Sequence, residues 1–320
     1  MSGAGRLACV SVDLDAIPHY LRLHGLPDSG LADEVRHAVC RLALPRFLDL
    51  FAAQGIAATF FAVGDDLRDA RSAASVRAAA AAGHEIGNHT ASHGYGLTRL
   101  DRAGIEREVA GGEAAIERVT GTRPEGFRAP GYAISAPLLD VLEAHGYRYD
   151  SSAFPAAPYY LAKACVMGAL KLLGHPSRAM LDRPRVLAAP RQPYWPSAPE
   201  PYRAAAAREA GRDLIELPLT VEPWTRVPFI GTSALLLPRR LLDLFYGRLC
   251  AAPSLNFELH GIDLLDASDV RLPRLSAVQR ELNLPVAEKR ARLARVIAAI
   301  RDDFEIVTLG HAATRLRAAL

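Results

Sequence analysis

The sequence predicts an α/β protein, a parallel (β/α) barrel or doubly wound sheet whose chemistry gathers at the C-terminal ends of the strands. Three observations carry this. Short apolar runs alternate with longer segments of helical spacing. Glycines such as Gly55, Gly83, Gly121 and Gly146 close the helical segments. Polar residues suited to chemistry stand just past strand ends: Asp13 and Asp15, His89 and His93, Arg128, and His260.

The bulk numbers are compatible with one large domain. The chain has 320 residues, 50% of them hydrophobic, and α/β barrels commonly run to about 200–250 residues as one unit. The expectation is a single domain over 1–320 with an insertion at about 154–212. The net charge of +3 comes from mixed, interspersed charges. With no basic tract, a nucleic-acid partner is not expected. Cys9, Cys40, Cys165 and Cys250 are scattered without a CxxC pair, which reads as reduced, buried thiols in a cytoplasmic protein. Residues 1–6 show no leader pattern, and no apolar run reaches the roughly 18 residues of a membrane span.

In order, the run 7–14 (LACVSVDL) reads as the first strand, ending in a DxD pair. Carboxylates at i and i+2 point to the same side of an extended chain. One can then bind a metal while the other serves as a base, although a DxD pair also commonly opens a turn. Residues 16–30, with Pro18 and Pro27, read as an irregular loop. Its His19 and His24 could face the site, although lone histidines are more commonly expected in solvent. Residues 32–54 read as a helix broken at Pro45.

Strand 57–63, helix 69–82 and strand 84–88 follow, delivering HEIGNHTASHG (84–94). Its His89 and His93 are four apart, a spacing from which two imidazoles reach one metal. Helix 100–120, strand 127–132, helix 136–145 and strand 147–151, which ends on Asp150, complete the first half.

Residues 154–212 depart from the pattern, with many prolines and aromatics around an apolar helix at 161–173. The helix is expected to pack on the barrel. The alternative is an apolar wall, shared with the run 190–196, for a lipid-linked or amphiphilic substrate. Strand 214–221, helix 239–250, strand 255–259 ending at His260, helix 287–301, strand 305–309 and helix 312–320 close the chain.

With these residues in place, the sequence resembles the polysaccharide deacetylase family, the NodB-homology carbohydrate esterases, over about 7–150 and 214–310. His89-Thr90-Ala91-Ser92-His93 meets the family's H[ST]xxH motif. Asp13-Leu14-Asp15 is similar to the branch holding allantoinase-like amidohydrolases, some peptidoglycan deacetylases and the undecaprenyl-linked aminoarabinose deformylase. Arg128-Ala129-Pro130-Gly131-Tyr132 resembles the third motif, Asp150-Ser151-Ser152 the fourth, and Leu259-His260 the fifth.

The resemblance implies a distorted (β/α) barrel of the NodB type and a role for each residue. Asp15, His89 and His93 hold one divalent metal, Zn²⁺ first, with Co²⁺, Ni²⁺ or Mn²⁺ as alternatives. Asp13 is the general base, Arg128 its partner, and His260 the general acid. Gly131, Tyr132 and Asp150 face the oxyanion or the substrate.

The implied reaction removes an acetyl or formyl group from an N-acylated sugar or glycolipid in the cytoplasm. Peripheral membrane contact and a homo-oligomer are compatible with it. Hydrolysis of a non-sugar amide, as in the allantoinase-like branch, is the second reading. A silent binding module is the third, and the presence of every ligand and base argues against it.

Overall fold

The computed structural model describes residues 5–172, 183–208, 212–318 and 320. Eight parallel strands are formed: β1 Leu7–Asp13, β2 Thr59–Ala62, β3 Glu85–Asn88, β4 Gly126–Phe127, β5 Tyr149–Asp150, β6 Ile215–Glu216, β7 Ser254–His260 and β8 Glu305–Ile306. They run in the order β6-β5-β4-β3-β2-β1-β7, with β8 paired to β1. Past β6, Thr220 donates its N–H to the Asn256 carbonyl at 3.1 Å. Its hydroxyl accepts from the Asn256 N–H at 2.8 Å. This pair draws the two edges of the sheet together into a distorted (β/α) barrel.

β1 is the axis of the site. It pairs with β7 along its whole length, Leu7 with Ser254 through Asp13 with His260. On its other side β2 meets Ser11–Asp13, and β8 meets Leu7 and Ala8. The whole strand is buried, as its unbroken apolar run requires in a parallel sheet covered on both faces. The register therefore sets Asp13 between Phe61 and His260 at the C-terminal rim.

Several strands are shorter than their apolar runs, and proline explains it. β4 stops at Phe127 because Pro130 has no N–H for the ladder and Gly131 turns to φ +73°. β6 stops at Glu216, two residues before Pro218.

Local signals set the helices. Asp69 caps Ala70–Ala81 by accepting from the Ser72 N–H at 2.7 Å, and Asp101 caps Arg102–Thr120 through Gly104 at 2.8 Å. The expected break before Pro45 is present: helix Asp33–Arg36 is followed by a wide turn at Val39–Ala43 and then by helix Leu44–Gln54. Proline cannot donate to the carbonyl four residues back, so the helix does not run through.

Two expectations need correction. Residues 16–30 are not a loop throughout, because Ile17–Leu23 is helical with Pro18 in its first turn, where the missing N–H has no cost. The insertion begins with helix Ala157–Leu172; the expected helix end at 173, and residues 174–182, lie outside the described residues. The run 190–196 does not wall the cleft. Tyr194 pairs antiparallel with Glu216, and the guanidinium groups of Arg208 and Arg317 lie 5.7 Å from the Trp195 ring. The run thus covers the barrel flank beside β6. No helix among the described residues is long and apolar enough to cross a membrane.

Candidate active site

The loop after β3 is held in a conformation that side chains rarely adopt. Thr90 and His93 have φ of +68° and +57°, a strain that persists only where neighbours fix it. The Asn88 carboxamide accepts from the Thr90 N–H at 2.9 Å, and the Thr90 hydroxyl accepts from the His93 N–H at 3.0 Å. Glu108 takes both the N–H and the hydroxyl of Ser92. Helix Arg102–Thr120 approaches so closely at Gly112 that a Cβ there would collide with Asn88 Oδ1.

This loop aims two imidazoles at Asp15. Its Oδ1 lies 3.2 Å from His89 Nε2 and 3.0 Å from His93 Nε2. That oxygen is buried without a hydrogen-bond partner. His89 Nδ1 lies 2.7 Å from the Arg128 carbonyl. This assigns the proton to Nδ1 and leaves Nε2 as a lone pair facing Asp15.

Charge in the cluster is matched to a cation. Burial alone would raise the Asp15 carboxyl, but His93 and His89 hold it well below the usual carboxylate range. Burial lowers His93 to about 4, so its ring is neutral. His89 is raised: burial opposes its charge, but Asp13 and Asp15 outweigh burial. One ionised acid, one neutral imidazole and a second that draws positive charge suit a divalent metal.

Asp13 is gripped by Arg128, whose Nη1 donates to Oδ1 at 2.6 Å. Asp13 Oδ2 is left toward the cluster, 4.0 Å from His89 Nε2. Arg128 is wholly buried. It spends its other donors on the Ser151 carbonyl, the Ser11 hydroxyl and the Ser151 hydroxyl at 2.8, 3.0 and 2.9 Å. Its guanidinium lies 4.2 Å from the Phe61 ring centre.

At the end of β7, His260 has both ring nitrogens engaged. Nδ1 is 2.8 Å from Glu258 Oε1, and Nε2 is 3.1 Å from the Tyr132 hydroxyl. Burial would lower this imidazole, but the Glu258 carboxylate overrides burial and raises it well above its ordinary value. The sequence reading missed Glu258. Its signal was present: in a strand, residues 258 and 260 share a face.

Gly131 and Tyr132 both line the cleft, as does His260. Gly131 has φ +73°, and a Cβ on it would lie 3.1 Å from the Tyr95 ring. The Tyr132 N–H donates to Ala129 O at 3.0 Å, so that amide is already committed. Asp150 does not reach the cleft. It is fully buried, accepts from the Ser152 hydroxyl at 2.6 Å, and lies against Glu216. Burial pushes Asp150 up to about 6, and burial with the neighbouring Asp150 charge raises Glu216 well above the ordinary carboxylate range. Ser152 ties Asp150 to the Ala129 N–H at 2.8 Å.

His19 is likewise not in solvent. It is buried with its ring centre 4.3 Å from that of His93. His24 lines the cleft.

The cleft has a volume of ≈ 430 Å³. Helix Ala157–Leu172 contributes Pro158, Tyr159 and Lys163 to its wall, while Leu161 is 68% exposed. The apolar side expected of this helix is thus only partly turned to the site.

Stretches of this chain are similar to known proteins. Residues 38–149, which include His89, His93 and Arg128, match the polysaccharide deacetylase family. A peptidoglycan deacetylase of Helicobacter pylori is 28% identical over 159 residues, covering 48% of this chain and 53% of that protein. A chitin deacetylase of a Pestalotiopsis species is 37% identical over 101 residues, 31% of this chain and 34% of that protein. The matches thus span about half or less of these relatives' length. Among solved structures, one from Mycobacterium smegmatis, described as a candidate polysaccharide deacetylase, aligns with TM-score 0.62 and 20% identity. It covers 100% of this chain and 93% of that one, a likeness of fold.

Proposed function

We propose that this protein is a metal-dependent hydrolase that removes an N-acyl group, acetyl or formyl, from an amino sugar or glycoconjugate. The observation that carries the reading is the convergence of donor atoms from Asp15, His89 and His93 within 4.8 Å of one another. Those three residues would hold the cation, Zn²⁺ being the best match to two imidazoles and a carboxylate. When bound, such a cation polarises the amide carbonyl and a neighbouring water.

The remaining steps belong to the chain. Asp13, oriented by Arg128, accepts the proton of the attacking water as its oxygen bonds to the carbonyl carbon. His260, with Nδ1 fixed by Glu258, donates a proton to the amide nitrogen as the C–N bond breaks. The products are a carboxylic acid and a free amine. Gly131 lies beside the reacting carbonyl, with its side-chain-free backbone open to the cleft.

Lipid linkage of the substrate rests on Leu161, exposed next to the cleft residues Pro158 and Tyr159. Leu161→Gln should then slow turnover of an amphiphilic N-acyl sugar and leave a soluble one unchanged.

The deciding experiment is metal analysis of the purified protein together with mass-spectrometric detection of acetate or formate from N-acyl sugars, ureides and cyclic imides. Release from sugars, abolished by a chelator and restored by Zn²⁺, Co²⁺, Ni²⁺ or Mn²⁺, supports the proposal. Release only from ureides or imides moves the substrate outside the sugars, and metal-independent release overturns the metal role.

A further inference from the structure

One buried group in the cleft takes no part in the mechanism. Glu281, on the turn Arg280–Asn283, is 4% exposed and is part of the cleft lining, as is Gln279 two residues earlier. The Glu281 carboxyl takes a hydrogen bond from its own backbone N–H. Lys289 feels its charge but directs Nζ to the carbonyls of Ile262 and Leu265 at 3.2 and 2.5 Å. One local donor leaves a carboxyl with spare acceptor capacity, and this one borders the cleft, where a ligand can supply further donors.

The lining names the chemistry of that donor. The cleft lining also holds the rings of Tyr20, Tyr132, Phe154 and Tyr159, apolar faces beside polar groups. A carboxylate accepts two O–H donors at once, and the Gln279 carboxamide both donates and accepts.

Position gives the direction. Glu281 is close enough to His260 for its charge to be felt there. On the reading proposed above, His260 meets the departing nitrogen. The ring that bears that nitrogen then extends toward Glu281, and its acyl group toward Asp15 and His89.

We infer that Glu281, assisted by Gln279, binds hydroxyl groups of the sugar ring whose nitrogen is released, and so selects a hydroxylated ring over a plain amide. The direction of the ring rests on the hydrolase reading; the subsite itself does not.

The test is equilibrium binding of the N-acetylglucosamine disaccharide to the full chain, with melting temperature and zinc affinity measured beside it. The wild type should bind. Glu281→Ala should weaken binding at least about tenfold, and Glu281→Gln, equal in size and still an acceptor, by less, with zinc affinity unchanged in both. If the alanine variant fails to fold, the glutamine variant decides by whether it weakens binding at all. No binding by the wild type, equal affinity in the variants, or a parallel loss of zinc affinity each overturns the subsite. Acetate release by the same wild type is scored separately. Release with Glu281-independent binding keeps the hydrolase and removes the subsite. Glu281-dependent binding without release does the reverse.

Discussion

Asp13 and His260 sit in register on neighbouring strands, and each has a partner that fixes one of its two polar atoms. The division of labour predicts separable defects. Asp13→Asn should keep zinc affinity, since Asp13 is not in the donor cluster, and lower kcat by about 10²–10⁴; metal titration and initial rates check both halves. The raised pKa of His260 sets a second expectation. On the proposed mechanism this proton donor stays charged above the ordinary imidazole range, so its loss should appear as an alkaline limb of kcat. Removing the carboxylate in Glu258→Gln withdraws the cause of the rise. That limb should then move to lower pH by about one unit or more, visible in a kcat–pH profile. A limb that stays put would show that Glu258 does not tune His260.

At this scale the sequence was informative where chemistry has a fixed spacing. The two imidazoles four apart both reach the Asp15 carboxylate. Asp150 was misjudged because Asp-Ser-Ser gives no hint that Glu216, 66 positions later, will lie against it inside the fold. His19 was misjudged because a lone histidine near two prolines carries no sign of burial.

At the scale of elements, the loop after β3 depends on a helix that never touches the cleft. Gly112 permits the approach of helix Arg102–Thr120 to Asn88, and Asn88 holds Thr90. Gly112→Ala should therefore displace the loop. We expect a loss of about 1–3 kcal/mol in stability, measured by denaturant unfolding. Zinc affinity should fall by about 10–100-fold, as for other residues that orient ligands. Periodicity revealed the strands and the longer helices, since each buries one continuous apolar face, but not the short helices Gly231–Leu236, Ala267–Val270 and Pro273–Val278. It could not place the run 190–196, whose aromatics suit a flank and a cleft equally. It also missed Ile17–Leu23, because the prolines that mark loops also start helices.

Across the whole molecule, the donor cluster joins three distant parts of the chain: the end of β1, the loop after β3, and the Arg128 carbonyl that orients His89. A ligand that binds only the folded form stabilises it by mass action. Zinc at about 100 times its dissociation constant should add about 2.7 kcal/mol, and a chelator should lower the melting temperature of the wild type. The His89→Ala variant should show a much smaller response. Equal shifts in both proteins would place metal binding elsewhere.

β1 leads the sequence, yet its flank is finished by residues 254–260 and 305–306. During synthesis on the ribosome, the carboxylates of Asp13 and Asp15 therefore emerge early and wait for most of the polypeptide before their strand is clasped on both sides. Until then the acid pair hangs on a half-paired apolar ribbon, the kind of exposed edge that chaperones shield and aggregates recruit. A nascent chain halted near residue 250 should thus capture no zinc at this centre, however complete its histidine loop.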